Sequence, residues 1–113
     1  MIFLIYNSYI PSSANIGKGS IFAYKGIGVV VHSRATIGEN CIICQQVTIG
    51  GKTGDVNPPK IGNNVYIAAG SKIIGDISIG NNCTIGVNAV VNKSFGDNMV
   101  IAGVPAKLIK EVN

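Results

Sequence analysis

Residues 61–91 read IGNNVYIAAGSKIIGDISIGNNCTIGVNAVV. An aliphatic residue returns every six positions without a slip, at Ile61, Ile67, Ile73, Ile79, Ile85 and Val91. The next residue is usually small (Gly62, Ala68, Gly80, Gly86), and the fifth of each unit is small or aliphatic (Val65, Ser71, Ile77, Cys83, Ala89). A six-residue unit with one large inward aliphatic and one small inward residue four positions later is a short strand plus a turn. Three such units close a triangular coil. Stacked coils then bury a column of Ile and Val, each strand bonding to the coils above and below at about 4.8 Å, as in any parallel sheet. Asn63/Asn64 and Asn81/Asn82 fall at the turns, where Asn accepts a left-handed backbone.

The same frame runs earlier through Ile10, Ile16 and Phe22, then through Val31, Ile37, Ile43 and Ile49. It breaks twice. Nine residues separate Phe22 from Val31, and twelve separate Ile49 from Ile61, the latter including a polar, proline-bearing excursion bounded at 52–60. Interruptions of a rigid scaffold commonly carry a site, and this loop is a candidate wall of one. The repeat implies an all-β prism of about five coils. The C-terminal stretch 102–113 turns at Gly103 to Pro105 and then supplies a short capping helix or tail.

Composition agrees. The 113 residues make one domain, 1–113. Nineteen Ile and 12 Val stand against two Leu, two Met and no Trp, which excludes a helical bundle because β-branched side chains lose χ1 freedom in helices and fit pleated surfaces. Fifteen Gly and 12 Asn suit tight corners. A hydrophobic content of 47% with 12% charged residues excludes disorder.

The net charge of +4 comes from scattered basic residues, with no aromatic-interleaved patch for nucleic acid. No run approaches the roughly 20 apolar residues of a membrane span. The apolar start, Met1 to Ile10, has no basic region before it and no cleavage pattern after it, so residues 1–9 read as an irregular first strand of a cytoplasmic chain. Cys41, Cys44 and Cys83 are too few and odd in number for a disulfide framework, and the single C-x-x-C lacks the partners of a zinc site. They read as packing thiols, with no metal.

The hexads I-G-E-N-C-I, I-G-N-N-V-Y and I-G-N-N-C-T resemble those of the hexapeptide-repeat acyltransferases, whose fold is a left-handed parallel β-helix. Within them the chain is similar to serine acetyltransferases and to polysaccharide or sugar O-acetyltransferases, through I-P-S-S-A-N-I-G-K-G, Q-V-T-I-G-G at 46–51, P-K-I-G-N-N-V-Y-I-A-A-G-S-K-I-I-G-D-I at 59–77 and A-G-V-P-A-K at 102–107. The resemblance implies acetyl-CoA as co-substrate, a hydroxyl acceptor, and a homotrimer with grooves between subunits. It also places Gly51, Ala69 and Val87 beside the pantetheine arm and Lys107 near the nucleotide phosphates. The N-terminal helical domain of serine acetyltransferases is not seen before the repeats, which favours the shorter O-acetyltransferases.

Acyl transfer from a thioester to a hydroxyl needs a base, donors for the oxyanion and a groove for the carrier. His32, the sole histidine, is the natural base near neutral pH. Being second in its hexad, it points outward. The family's Asp-His pair aligns with Ala23 and Tyr24, and its second His with Pro58. Three readings follow: His32 takes over the role, Tyr24 and Lys25 contribute, or the chain is not catalytic. Hexads started at Phe22, Ile43, Ile67 and Ile85 on one face stack Tyr24, Gln45, Ala69 and Val87 in a column that would line the groove.

The expected function is thus an acetyl-CoA-dependent O-acetyltransferase acting on a sugar, polysaccharide, small alcohol or amino-acid hydroxyl. The alternative is a non-catalytic β-helix serving as an assembly or binding module. The zinc carbonic anhydrases that share the fold need several His ligands, and one His per chain cannot supply them.

Overall fold

A computed structural model describes residues 8–112, so most of the expected first strand, 1–9, lies outside the described residues. Twelve strands of two or three residues follow one another in threes: β1 (Asn15–Ile16), β2 (Ile21–Phe22), β3 (Val30–Val31); β4 (Thr36–Ile37), β5 (Ile42–Ile43), β6 (Thr48–Gly50); β7 (Lys60–Ile61), β8 (Tyr66–Ile67), β9 (Lys72–Ile74); β10 (Ser78–Ile79), β11 (Thr84–Ile85), β12 (Val90–Val91). Every third strand pairs in parallel with its counterpart in the next coil. Face B is β1-β4-β7-β10, face C begins β2-β5-β8-β11, and face A is β3-β6-β9-β12. The architecture is the parallel β-helix of triangular coils that the hexads imply, with four complete coils where the spacing suggested about five.

The register explains the period. Ile43, Ile67, Ile85 and Ile101 stand opposite one another on face C, Val31, Ile49, Ile73 and Val91 on face A, and Ile37, Ile61 and Ile79 on face B. All are essentially buried, as are the small inward residues two places before them, among them Ala35, Cys41, Val47, Val65, Ser71, Cys83 and Ala89. A fully buried Ile contributes roughly 1.5–3 kcal/mol by leaving water. Ser71, the polar member of this row, has its Oγ 2.8 Å from the carbonyls of Ala68 and Gly86.

The outer rows differ by face. Face B turns Asn15, Thr36, Lys60 and Ser78 outward, whereas face C turns Ile21, Ile42 and Tyr66 outward, all exposed. Above β11, face C continues with β13 (Met99–Ala102) and ends in β14 (Lys107–Glu111), which pairs antiparallel with β13 across an irregularity at Val100/Ile101. Of the expected short helix or tail, the cap is a tail, and it forms a reversed strand. Its Ile109 is β-branched, and the upper edge of β13 offers backbone groups that a strand satisfies directly. Ala106 anchors the turn, being buried with its N–H on the carbonyl of Val90.

Candidate functional site

The three corners of the prism are not equivalent. Where face B passes into face C the turn is the same in every coil. Where face C passes into face A, coil 1 carries the nine-residue break as a tight turn at Ala23–Gly26, with Tyr24 and Lys25 in left-handed conformation (φ 52° and 58°). Where face A passes into face B, coil 1 carries His32 and coil 2 carries the 51–59 excursion. Lys60, the last residue of the expected 52–60 loop, already belongs to β7. The candidate residues divide over these two irregular corners.

His32 and Gly51 come together at the A-to-B corner. The half-buried His32 lies over Gly51, where a Cβ would stand 3.3 Å from the ring Cδ2 and 3.6 Å from Nε2. Gly51 thus places no side chain against the Nε2 edge. The backbone N–H of Arg34 donates to His32 Nδ1 at 3.0 Å. An imidazole nitrogen that accepts a hydrogen bond does so through a lone pair. The Arg34 guanidinium donates to the Val56 carbonyl at 2.8 Å, and Asp55 accepts the N–H of Asp76 at 2.9 Å. The loop is therefore fastened to coil 1 on one side and to coil 3 on the other, with Pro58 and Pro59 buried beneath it.

Tyr24, Ala69 and Val87 gather at the C-to-A corner, with one correction. The N–H of Asn88 bonds to the Ala69 carbonyl and that of Gly70 to Gln45, while that of Gln46 bonds to Ile27. The column is therefore Ile27, Gln45, Ala69, Val87. Tyr24 sits in the three-residue insertion beside it, 70% exposed. Counting from the strand start placed Tyr24 in the column because the insertion begins at Tyr24 itself, and the column position passes to Ile27. Within one chain, His32 and Tyr24 are not brought together; β3 and face A separate their corners. Lys107 is exposed at the start of β14, beyond the top of the column.

Sequence reasoning passed over two neighbours. Tyr66, on the outer row of face C, receives the Cys44 thiol at 3.3 Å. That hydrogen bond and the charge a Cys44 thiolate would carry, then burial and Tyr24, raise the Tyr66 phenol above its ordinary value, so it stays protonated at neutral pH. Arg34 is the other. Its signal was legible, for the only arginine of the chain lies two residues after the only histidine. Cys41, Cys44 and Cys83 are free and buried. Among the described residues no three His, Cys, Asp or Glu side chains converge as metal ligands, and no helix is long and apolar enough to cross a membrane.

Comparison with known proteins gives a consistent picture. Residues 58–93 match the family model described as bacterial transferase hexapeptide (six repeats). A serine acetyltransferase of Staphylococcus epidermidis is 44% identical over 104 residues, covering 90% of this chain and 48% of that protein. Among solved structures, the serine acetyltransferase of Brucella abortus superposes with a TM-score of 0.89 at 38% identity, over 96% of this chain and 44% of its own. The soybean serine acetyltransferase apoenzyme gives 0.79 at 42% identity, over 86% and 40%. The chain spans about half the length of the relatives it matches.

Proposed function

We propose that this chain, whose residues 58–93 match the hexapeptide transferase model and which is similar to serine acetyltransferases over nine-tenths of its length, is an O-acetyltransferase moving an acetyl group from acetyl-CoA to a hydroxyl. The observation that carries this reading is the pairing of an outward imidazole, His32, with a side-chain-free position, Gly51, beside an anchored loop. Acyl transfer needs a polar group at the reacting carbonyl, and in this reading His32 is that group, with no side chain on Gly51 to crowd it. The names of the relatives make serine the first acceptor to try, ahead of sugars and small alcohols.

The donor runs, in this reading, along the C-to-A corner. Ala69 on the column with Gly70 after it, and Gly103 above Val87, leave the main chain open to an extended pantetheine arm, with Lys107 at the nucleotide end. Because His32 and this column sit on opposite sides of face A, a complete site takes His32 from one protomer and the column, with Tyr24, from the next. A homotrimer provides that arrangement, and the outward Ile21, Ile42 and Tyr66 give the protomers an apolar surface to share. Three free thiols fit a reducing, cytoplasmic setting.

The test is release of free CoA thiol from acetyl-CoA with serine and a panel of hydroxyl acceptors, alongside light scattering. Acceptor-dependent release from a trimer supports the reading. No release with any acceptor, together with no thermal stabilisation by CoA, sinks it in favour of an assembly module. Mixed oligomers of His32→Ala and Val87→Trp chains regain activity if the site is shared between protomers, and stay inactive if each chain is self-sufficient.

A further inference from the structure

We propose that His32 works as a hydrogen-bond donor, through Nε2–H, to the carbonyl oxygen of the acyl group, and that Arg34 is the positioning residue that fixes it in this form. This rests on the acetyl-transfer reading above and departs from a general-base role for the same side chain.

The argument is one of lone pairs. A base acting through Nε2 needs that nitrogen unprotonated, which puts the proton of the neutral ring on Nδ1. Nδ1 stands 3.0 Å from the Arg34 N–H, a donor that cannot move without rebuilding the turn in which the Ala35 N–H bonds to the His32 carbonyl. Two donors would then face each other. The observed pairing instead leaves Nδ1 as acceptor and Nε2–H at the edge against which Gly51 places no side chain. The same arginine also ties the loop, which begins at Gly51, to this corner through Val56. One residue thus holds both the ring and the segment beneath it.

The chemistry balances without a base on the ring. The acceptor hydroxyl oxygen bonds to the thioester carbonyl carbon, and the carbonyl electron pair moves onto oxygen, where Nε2–H receives it. The pair returns, the carbon–sulfur bond breaks, and CoA leaves as thiolate. Water carries the hydroxyl proton to the sulfur, giving an acetyl ester and free CoA thiol. Stabilising an oxyanion with one preorganised donor is worth on the order of 100- to 1,000-fold in kcat.

Two measurements test this on the full chain. With nitrogen-15 histidine, the single His gives one pair of ring resonances. A neutral ring protonated on Nε2 is expected, and a majority protonated on Nδ1 overturns the proposal. Arg34→Pro, which deletes the N–H, should let the Nδ1–H form appear if the chain still folds, while Arg34→Ala, which keeps it, should not. The second measurement compares His32→Gln, whose amide N–H reaches the Nε2 position, with His32→Ala. A donor role predicts that His32→Gln retains at least about a tenth of wild-type kcat while His32→Ala loses about 100-fold or more. Equal collapse of both overturns it. If wild type transfers acetyl to nothing, the acetyl-transfer reading falls and the donor role with it, whereas the spectrum still decides whether Arg34 sets the tautomer.

Discussion

The B-to-C corner and the A-to-B corner join the same kinds of strand, yet one is uniform and the other changes in every coil. At the first, Gly38, Gly62 and Gly80 stack, followed by Glu39, Asn63 and Asn81, then by Asn40, Asn64 and Asn82 in left-handed conformation (φ 57°, 57° and 60°). Asn63 Oδ1 accepts the Glu39 N–H, Asn81 Oδ1 accepts that of Asn63, and Asp97 Oδ1 accepts that of Asn81, at 2.7–2.8 Å. The A-to-B corner has no such ladder. It holds His32 in coil 1, the long loop in coil 2 and Gly75–Asp76 in coil 3. A corner that repeats satisfies its own backbone, whereas one that varies leaves groups pointing outward.

The sharpest way to break the regular corner is Gly38→Ala. A Cβ there would lie 2.5 Å from the carbonyl oxygen of Gly62, main chain that cannot yield without separating two coils. Urea denaturation should show a loss of about 1–3 kcal/mol, as for other overpacked sites. Gly54→Ala in the loop meets nothing within 4 Å, so the same measurement should register only its positive φ, on the order of 1 kcal/mol. A loss at Gly54 as large as or larger than that at Gly38 would contradict the contrast.

Asn63→Ala takes the acceptor from the Glu39 N–H and should cost about 0.5–1.5 kcal/mol. Restoration by Asp but not by Leu would identify the side-chain oxygen as the cause. Arg34→Ala should change global stability by less than about 0.5 kcal/mol, because its side chain fastens only an exposed loop. Amide exchange in 52–57 should nonetheless accelerate at least several-fold, and unchanged exchange there would mean that Asp55 alone holds the loop.

The smallest effect is set by pH. Burial, as the main cause, raises the Cys83 thiol above its ordinary value. The folded state therefore binds that proton more tightly than the unfolded chain. Its contribution is fully present below the ordinary thiol range, about 8.5, and is lost as pH rises through the raised folded value. Melting temperature should fall on the alkaline side, less so in Cys83→Ala relative to its own value at neutral pH.

Most of the fold was legible because the six-residue period states which residues share a level. Ile67 opposite Ile85 follows from spacing alone. The column at the C-to-A corner was misread for a related reason: spacing shows that three residues are extra between Phe22 and Val31, but only hydrogen bonding shows that Tyr24 to Gly26 are the ones looped out. The form of the cap stayed open between helix and tail because β14 answers an edge created by tertiary structure, which Leu108 and Ile109 do not announce. At the candidate site, the lone His32 and the interrupted repeat pointed to one corner, while the hydrogen bond that Nδ1 accepts was not legible, because it comes from the Arg34 backbone N–H, which every residue but proline possesses.

The reversed strand at the top of face C has a consequence for solubility. A stack of parallel coils is a template, and another coil of this chain would extend it indefinitely. β14 runs the wrong way for such an addition, carries Lys107 and Lys110, and leaves Ile109 without a partner between Leu108 and Lys110. Antiparallel direction, positive charge and an irregular edge together discourage end-to-end growth into fibres along face C.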